Sequence, residues 1–340
     1  MEIMTQSLPV LDFSRLDSSP EEAAGFREDL RRATHDYGFF YLTGHGVPES
    51  LVSGILETSR RFFELPEADK LSIENVLSPQ FRGYTRVGGE LTQGLVDWRE
   101  QIDVGSERET VERGEGVPDY WRLEGPNLWP EALPELQDVV TRWHDELSAI
   151  SIRLLQAWAQ SLGADPHVFD DAFAERPSTL IKIVRYPGKS DPTPKQGVGA
   201  HRDGGALTLL LVEEGKGGLQ VAYGEEWIDA PPVPGAFVVN IGELLEYATK
   251  GYLKATVHRV ISPSIGSDRI SIPFFFNPAL DAHMPHVPLD PALAAETRGV
   301  SVDPTNSPIL ETYGDNVLRY RLRAHPNVAQ VHHADLGSSR

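Results

Sequence analysis

The 340-residue chain is 40% hydrophobic and 24% charged, enough apolar material for a large core and too much for a disordered chain. Its formal net charge of -19 opposes binding to phosphate backbones and anionic membranes, which select for clustered Lys and Arg, so neither nucleic acid nor a membrane is expected as a partner. With no cysteine, disulfides, thiolate nucleophiles, iron–sulfur clusters and cysteine-ligated zinc are ruled out, and any metal must be held by His and carboxylate.

The first residues, MEIMTQSLPVLDF, carry neither a basic nor an apolar leader segment, and no stretch approaches the roughly 20 apolar residues that span a bilayer. A cytoplasmic protein is the expectation. Leu8 to Phe13 reads as a short strand, and Ser18-Ser19-Pro20 as a cap followed by proline at a first helical position, opening a helix to about Asp36. The aromatic run Gly38 to Thr43 is β-favouring and closes at Gly44-His45-Gly46, after which a helix is expected from about Pro48 to Phe63. Ser78 to Pro134 is rich in Gly, Pro and charge, which predicts long loops with short strands, and the part around Phe81 to Glu100 is expected to shape a substrate pocket. Val139, Trp143, Leu147, Ile150, Leu154, Trp158 and Leu162 recur at spacings of three and four, predicting a long amphipathic helix that Gly163 ends.

Beyond Thr179 the texture changes to six β-rich runs separated by turn residues: Leu180 to Tyr186, Ala206 to Val212, Gly218 to Val221, Ala236 to Ile241, Ala255 to Ile261 and Arg269 to Phe276. A β-sandwich or barrel covered by the N-terminal helices follows, so one α+β unit is favoured over the two domains that length alone would permit. No internal repeat or low-complexity tract is visible.

Three His-x-Asp/Glu pairs occur, and roughly one or two are expected by chance, so the pattern alone has little weight. His144 and Glu146 fall inside the long helix, where two positions are about 200° apart and cannot reach one ion. His333 and Asp335 fall in a polar C-terminal tail, which is expected to be mobile. His201 and Asp203 precede the apolar run Ala206 to Val212, and in extended geometry residues two apart share a side, so one imidazole and one carboxylate can meet an ion. His258, on another predicted strand, can complete the set, although in isolation it reads more readily as a half-buried strand histidine hydrogen-bonded to a neighbour. Two His and one carboxylate leave three positions of an iron(II) ion open. Arg269-Ile270-Ser271-Ile272 puts a guanidinium and a hydroxyl on one face of a strand, a receptor for carboxylate. His45, in a glycine-flanked turn, reads as structural, and His283 and His286 read as exposed loop residues rather than a second metal pair.

Together these residues resemble the isopenicillin N synthase-like branch of the iron(II)/2-oxoglutarate dioxygenases. Gly38-Phe39-Phe40 with Gly44-His45-Gly46-Val47, Asp97-Trp98-Arg99-Glu100, Asn127-Leu128-Trp129-Pro130, Asn240-Ile241-Gly242 and Tyr313-Gly314-Asp315 also look like that family's segments, so the resemblance spans nearly the whole chain. It implies a double-stranded β-helix (jelly-roll, cupin-like) core at 179–280, a mainly helical region with loops at 1–163, and a C-terminal extension at 281–340 packing on the core. It further implies iron(II) held by His201, Asp203 and His258, and the distal carboxylate of 2-oxoglutarate held by Arg269, Ser271 and Tyr186. Tyr186 matches the second tyrosine of the family's Asn-Tyr-Tyr-Pro motif; Val184 and Arg185 depart from it. Phe275 and Asn277 continue the inward parity of the Arg-x-Ser strand and match positions that touch substrate in relatives, with core packing the alternative for Phe275.

The implied activity consumes 2-oxoglutarate and O2, releases succinate and CO2, and oxidises an unactivated C–H bond of a small molecule, most simply by hydroxylation, with desaturation or ring formation as variants. Rival readings are an iron oxidase independent of 2-oxoglutarate, an ethylene-forming enzyme, or a non-catalytic binding module on the same fold. High Arg relative to Lys, abundant Pro and acidic charge suggest a bacterial enzyme of specialised metabolism. Neither the organic substrate nor the oligomeric state is read from the sequence.

Overall fold

The computed structural model describes residues 7–173, 175–188, 196–264, 266–301 and 308–336. In chain order its regular elements begin with β1 (Val10–Asp12), α1 (Pro20–Asp36), β2 (Phe39–Thr43), α2 (Glu49–Glu64) and α3 (Glu67–Leu71). Short strands β3 (Gly83–Thr85), β4 (Leu91–Thr92), β5 (Leu95–Val96) and β6 (Glu100–Gly105) then lead to the long helix α4 (Glu135–Ser161) and the turn α5 (Asp170–Phe173). The second half carries β7 (Ser178–Tyr186), β8 (Gln196–His201), β9 (Leu207–Val212), β10 (Leu219–Tyr223), β11 (Glu226–Asp229) and β12 (Phe237–Ile241). After α6 (Glu243–Ala248) come β13 (His258–Ile261), β14 (Arg269–Asn277), α7 (Pro291–Ala294), α8 (Tyr313–Ala324) and α9 (Pro326–His332).

Eight strands form one sheet in the order β1-β2-β12-β9-β14-β7-β6-β3, four form a second in the order β11-β10-β13-β8, and β4-β5 is a separate hairpin. Alternation along the strands divides the core. On β14, Ile270, Ile272, Phe274 and Phe276 pack outward with the helices, while the intervening Arg269, Ser271, Pro273 and Phe275 face the cavity between the sheets. On β7 the same rule sends Ile181 and Ile183 to the helices and Leu180, Lys182 and Tyr186 to the cavity. The large sheet therefore has an apolar outer face and a partly polar inner one.

Helix α4 covers the outer face. Its buried positions include Leu136, Val140, Trp143, Leu147, Ile150, Leu154 and Trp158, so Val140 takes the core place that the sequence pattern assigns to Val139. Trp143 and Trp158 are both fully buried, and truncating either to Ala would cost about 3–5 kcal/mol. The helix ends as expected: Gly163 takes a φ of +80°, where a side chain would be strained, and the Ala164 amide donates back to the Ala159 carbonyl at 2.9 Å. Ser19 caps α1 by accepting the Glu22 amide.

Two expectations change. The first strand is only three residues long because the Asp12 carboxylate accepts the Ser14 amide at 3.0 Å and turns Phe13–Asp17 into a 3-10 helix. The C-terminal tail is docked through residue 336: His333 is 2% exposed, stacks on Phe81 at 5.0 Å and shares a hydrogen with the Pro79 carbonyl at 2.8 Å, and Arg122 binds both carboxylate oxygens of Asp335. No helix among the described residues is long and apolar enough to cross a membrane.

Candidate active site

The sheets open into a cavity of about 880 Å³ between β8, β13 and the inner faces of β7, β9 and β14. His201, at the last position of β8, stands directly opposite His258, the first residue of β13. Each imidazole turns its Nδ1 toward a backbone carbonyl, His201 to Gly199 at 2.7 Å and His258 to Thr256 at 3.1 Å, which leaves both Nε2 atoms aimed inward. Both Nε2 atoms lie 3.6 Å from Asp203 Oδ1. The other carboxylate oxygen, Oδ2, accepts from Thr208 at 2.6 Å and Asn240 at 2.8 Å, which fixes the carboxylate with Oδ1 toward the two rings.

Asp203 lies beyond the end of β8, so strand alternation is not what places it. A tight turn does: the Asp203 carbonyl accepts the Glu243 amide, the Ala206 carbonyl accepts the Gly242 amide, and Asn277 Oδ1 accepts the Ala206 amide at 2.9 Å. The two glycines of that turn are closely approached: a Cβ on Gly205 would fall 1.9 Å from Asn277 Oδ1 and one on Gly204 2.5 Å from the Tyr320 ring, so either substitution would displace the neighbouring side chain.

One ligand atom from each of His201, Asp203 and His258 lies within 4.8 Å of the others, the one such group of His, Asp or Glu among the described residues. Burial would raise the Asp203 pKa, but His258, His201 and the Asn240 hydrogen bond hold the carboxyl well below its usual range. Burial and the neighbouring His201 push His258 down to about 4. His201 is raised despite its burial, through the hydrogen bond and charge of Asp203. A neutral His258 and an ionised Asp203 are the states in which these groups bind a cation.

Arg269 stands opposite Tyr186 across the β14–β7 pair and is 1% exposed. Its Cζ lies 4.9 Å from the Tyr186 ring centroid, and Nη1 donates to Ser271 at 3.2 Å. Its Nη2 is buried and meets no acceptor. A buried guanidinium with an unmatched donor is a fitted receptor for a carboxylate, and a set of two imidazoles and one carboxylate with open positions suits iron(II).

Phe275 lines the main cavity. Asn277 lines a smaller adjoining one of about 120 Å³, where its oxygen closes the Gly205-Ala206 turn. The other candidates stay apart from the metal group. His45 stacks on Phe237 at 4.2 Å; His283 faces Glu311 and His286 packs on Tyr247. His144 is not simply solvated, since its Nε2 reaches Thr179 at 3.0 Å.

Sequence reasoning missed a buried ionic lattice at the far end of the cavity. Lys182 Nζ bonds both oxygens of Glu90 (3.0 and 3.1 Å) and Asp103 (3.1 Å). Arg99 joins Glu90 to Asp97 at 3.1 Å each, and Arg321 of α8 reaches Asp103 at 2.7 Å. The inward parity of Lys182 with Tyr186 was available as a signal. The glutamate preceding the β4–β5 hairpin had none.

Two family models match: "non-haem dioxygenase in morphine synthesis N-terminal" over residues 8–132 and "2OG-Fe(II) oxygenase superfamily" over 178–278. The chain is 34% identical to the 2-oxoglutarate-dependent dioxygenase frbJ of Dothideomycetidae sp. (strain 11243), covering 95% of this chain and 91% of the relative. It is 36% identical to homoarginine-6-hydroxylase 2-ODD-C23.1 of Arabidopsis thaliana over 82% of this chain and 86% of the relative. A crystal structure of a 2OG-Fe(II) oxygenase family protein from Caulobacter crescentus superposes with a TM-score of 0.74 at 26% identity, covering 94% of this chain and 99% of that one. The chain belongs to the 2-oxoglutarate/iron(II) oxygenase superfamily, and it is a dioxygenase that couples 2-oxoglutarate turnover to hydroxylation of a small molecule.

Proposed function

We propose that His201, Asp203 and His258 hold the iron, that Arg269, Ser271 and Tyr186 hold the distal carboxylate of 2-oxoglutarate, and that a charged or polar small molecule is oxidised in the space bounded by Phe275, Lys182 and Tyr320. The observation that carries this reading is the unmatched, buried Nη2 of Arg269 in the same cavity as the three clustered ligand atoms. When bound, iron supplies the activation of O2 coupled to decarboxylation of 2-oxoglutarate. The chain supplies orientation: Gly199 and Thr256 fix the ring faces, Thr208 and Asn240 fix the carboxylate, and the apolar wall of Leu210, Leu219 and Val260 keeps water from the reacting end.

The substrate space is lined by Glu90, Arg99, Lys182, Glu243 and Arg321, which suits a charged molecule better than a flat apolar ring. The Arabidopsis relative is named for homoarginine, an amino acid, and the same class fits here. The match of the N-terminal family model supports placing the chain in the isopenicillin N synthase-like branch.

Purified protein with iron(II), ascorbate, 2-oxoglutarate and O2 is expected to release succinate in a substrate-dependent manner; O2 uptake without any need for 2-oxoglutarate would reject the reading. His201→Ala is expected to abolish turnover while the far-ultraviolet circular dichroism stays unchanged. Retained turnover in that variant would remove the iron assignment.

A further inference from the structure

Most ionisable side chains lining the cavity are already matched. Arg99, Glu90, Lys182 and Arg321 pair with one another and with Asp97 and Asp103, with only Arg99 Nε left without an acceptor. Asp203, His201, His258 and Arg269 belong to the iron and the co-substrate in the reading above. Besides Arg202, whose Nε is held by the Ala255 carbonyl, what remains lies where α6 begins and along α8.

Glu243, in the first turn of α6, is half-buried, and among the described residues no Arg, Lys or His comes within 4.0 Å of its carboxylate. Its side-chain contact is the Tyr320 hydroxyl at 3.5 Å. Arg202 offsets the charge only at longer range, its Nε being engaged by the Ala255 carbonyl at 2.9 Å, while Glu246 and Asp203 add further negative potential. Arg323 sits three positions after Tyr320 on α8, exposed at the cavity mouth, with Cζ 5.4 Å from the Tyr320 ring centroid. Among the described residues no carboxylate lies within 4.0 Å of Arg323 either. One tyrosine side chain thus separates an unmatched carboxylate from an unmatched guanidinium, both lining the same cavity. A half-buried carboxylate with no cation beside it and an exposed guanidinium at the mouth of the same cavity can be met together by one ligand that carries an ammonium and a carboxylate.

We propose that Glu243 and Arg323 recognise the zwitterionic head of an α-amino acid, the ammonium on Glu243 and Tyr320 and the carboxylate on Arg323. The assignment rests on the oxygenase reading above. A simple amine would use only Glu243 and a simple carboxylate only Arg323, so each would bind more weakly than the zwitterion.

The test begins with wild-type protein, iron(II) and 2-oxoglutarate under anaerobic conditions, read by the visible charge-transfer absorption of the bound co-substrate. Its absence would remove the oxygenase reading and this proposal with it. With the band present, the twenty proteinogenic L-amino acids plus L-ornithine and L-citrulline are screened by succinate release in air. The best is then titrated calorimetrically as the free amino acid, the Nα-acetyl derivative and the carboxamide. Each block is expected to weaken binding about tenfold or more, the effect of losing a charge-assisted contact. Glu243→Gln should erase discrimination against the Nα-acetyl form and Arg323→Gln discrimination against the amide. If no member of the panel stimulates succinate release, if blocked forms bind as well as the free amino acid, or if Glu243→Gln changes iron affinity and leaves selectivity intact, this proposal alone is overturned.

Discussion

Arg269 and Lys182 both point from the inner face of the large sheet into one cavity, and both are buried cations, yet they stand in opposite states. Arg269 keeps an N–H with no acceptor, whereas Lys182 donates to three carboxylate oxygens of two residues. The difference separates recognition from construction. An orphaned buried donor is stabilised by what it binds; a saturated one ties the β4–β5 hairpin segment, β6 and β7 to each other and fixes the outline of the substrate space.

Removing each cation breaks the comparison in a predictable direction. Lys182→Met leaves Glu90 and Asp103 buried with fewer partners and is expected to lower unfolding stability by about 3 kcal/mol, measured by urea denaturation. A variant as stable as the parent would mean that the lattice contributes shape without energy. Arg269→Leu is expected to do the reverse: affinity for 2-oxoglutarate falls about 100-fold, while stability of the ligand-free protein is unchanged or higher. Isothermal titration and urea denaturation on the same samples check both halves, and a stability loss matching that of Lys182→Met would erase the distinction.

Acid sharpens the comparison gradually. His325, fully buried beside Glu90 and Asp103, is pushed down to about 4 by its burial, against an ordinary value of 6.5. As pH falls below 6.5 the unfolded chain takes up this proton and the folded one does not, so stability drops progressively until about pH 4, by at most about 3 kcal/mol. Replacing His325 with Asn should flatten that part of the stability profile relative to the parent. A parallel curve in the variant would show that other groups carry the acid sensitivity.

The meeting of His201, Asp203 and His258 was expected from the sequence, although Asp203 is placed by a turn closed on Glu243 and Asn277 and not by the strand alternation that suggested it. His201 and Asp203 flank a strand end, His258 opens another strand, and Arg269 and Ser271 share a face through simple alternation. The long helix and most strands followed from periodicity. What escaped the sequence needed tertiary closure. Glu90, Asp103, Lys182 and Arg321 come from four separate segments, and nothing in any one of them says that their charges meet. His333 looked like part of a loose tail because its partners, Phe81 and Pro79, lie some 250 positions earlier and stacking leaves no local trace. The shortened first strand is a subtler case, in which one Asp12 hydrogen bond outcompetes an apolar pattern.

Helix α8 carries Tyr320, Arg321 and Arg323, three of the cavity's polar walls, on a single run of twelve residues far along the chain from the His-Asp-His cluster. In the reading proposed above, selectivity is divided between this helix and Glu243 of α6, while Arg321 anchors the helix to Asp103. Exchanging α8 between relatives would therefore have to bring the matching carboxylates with it.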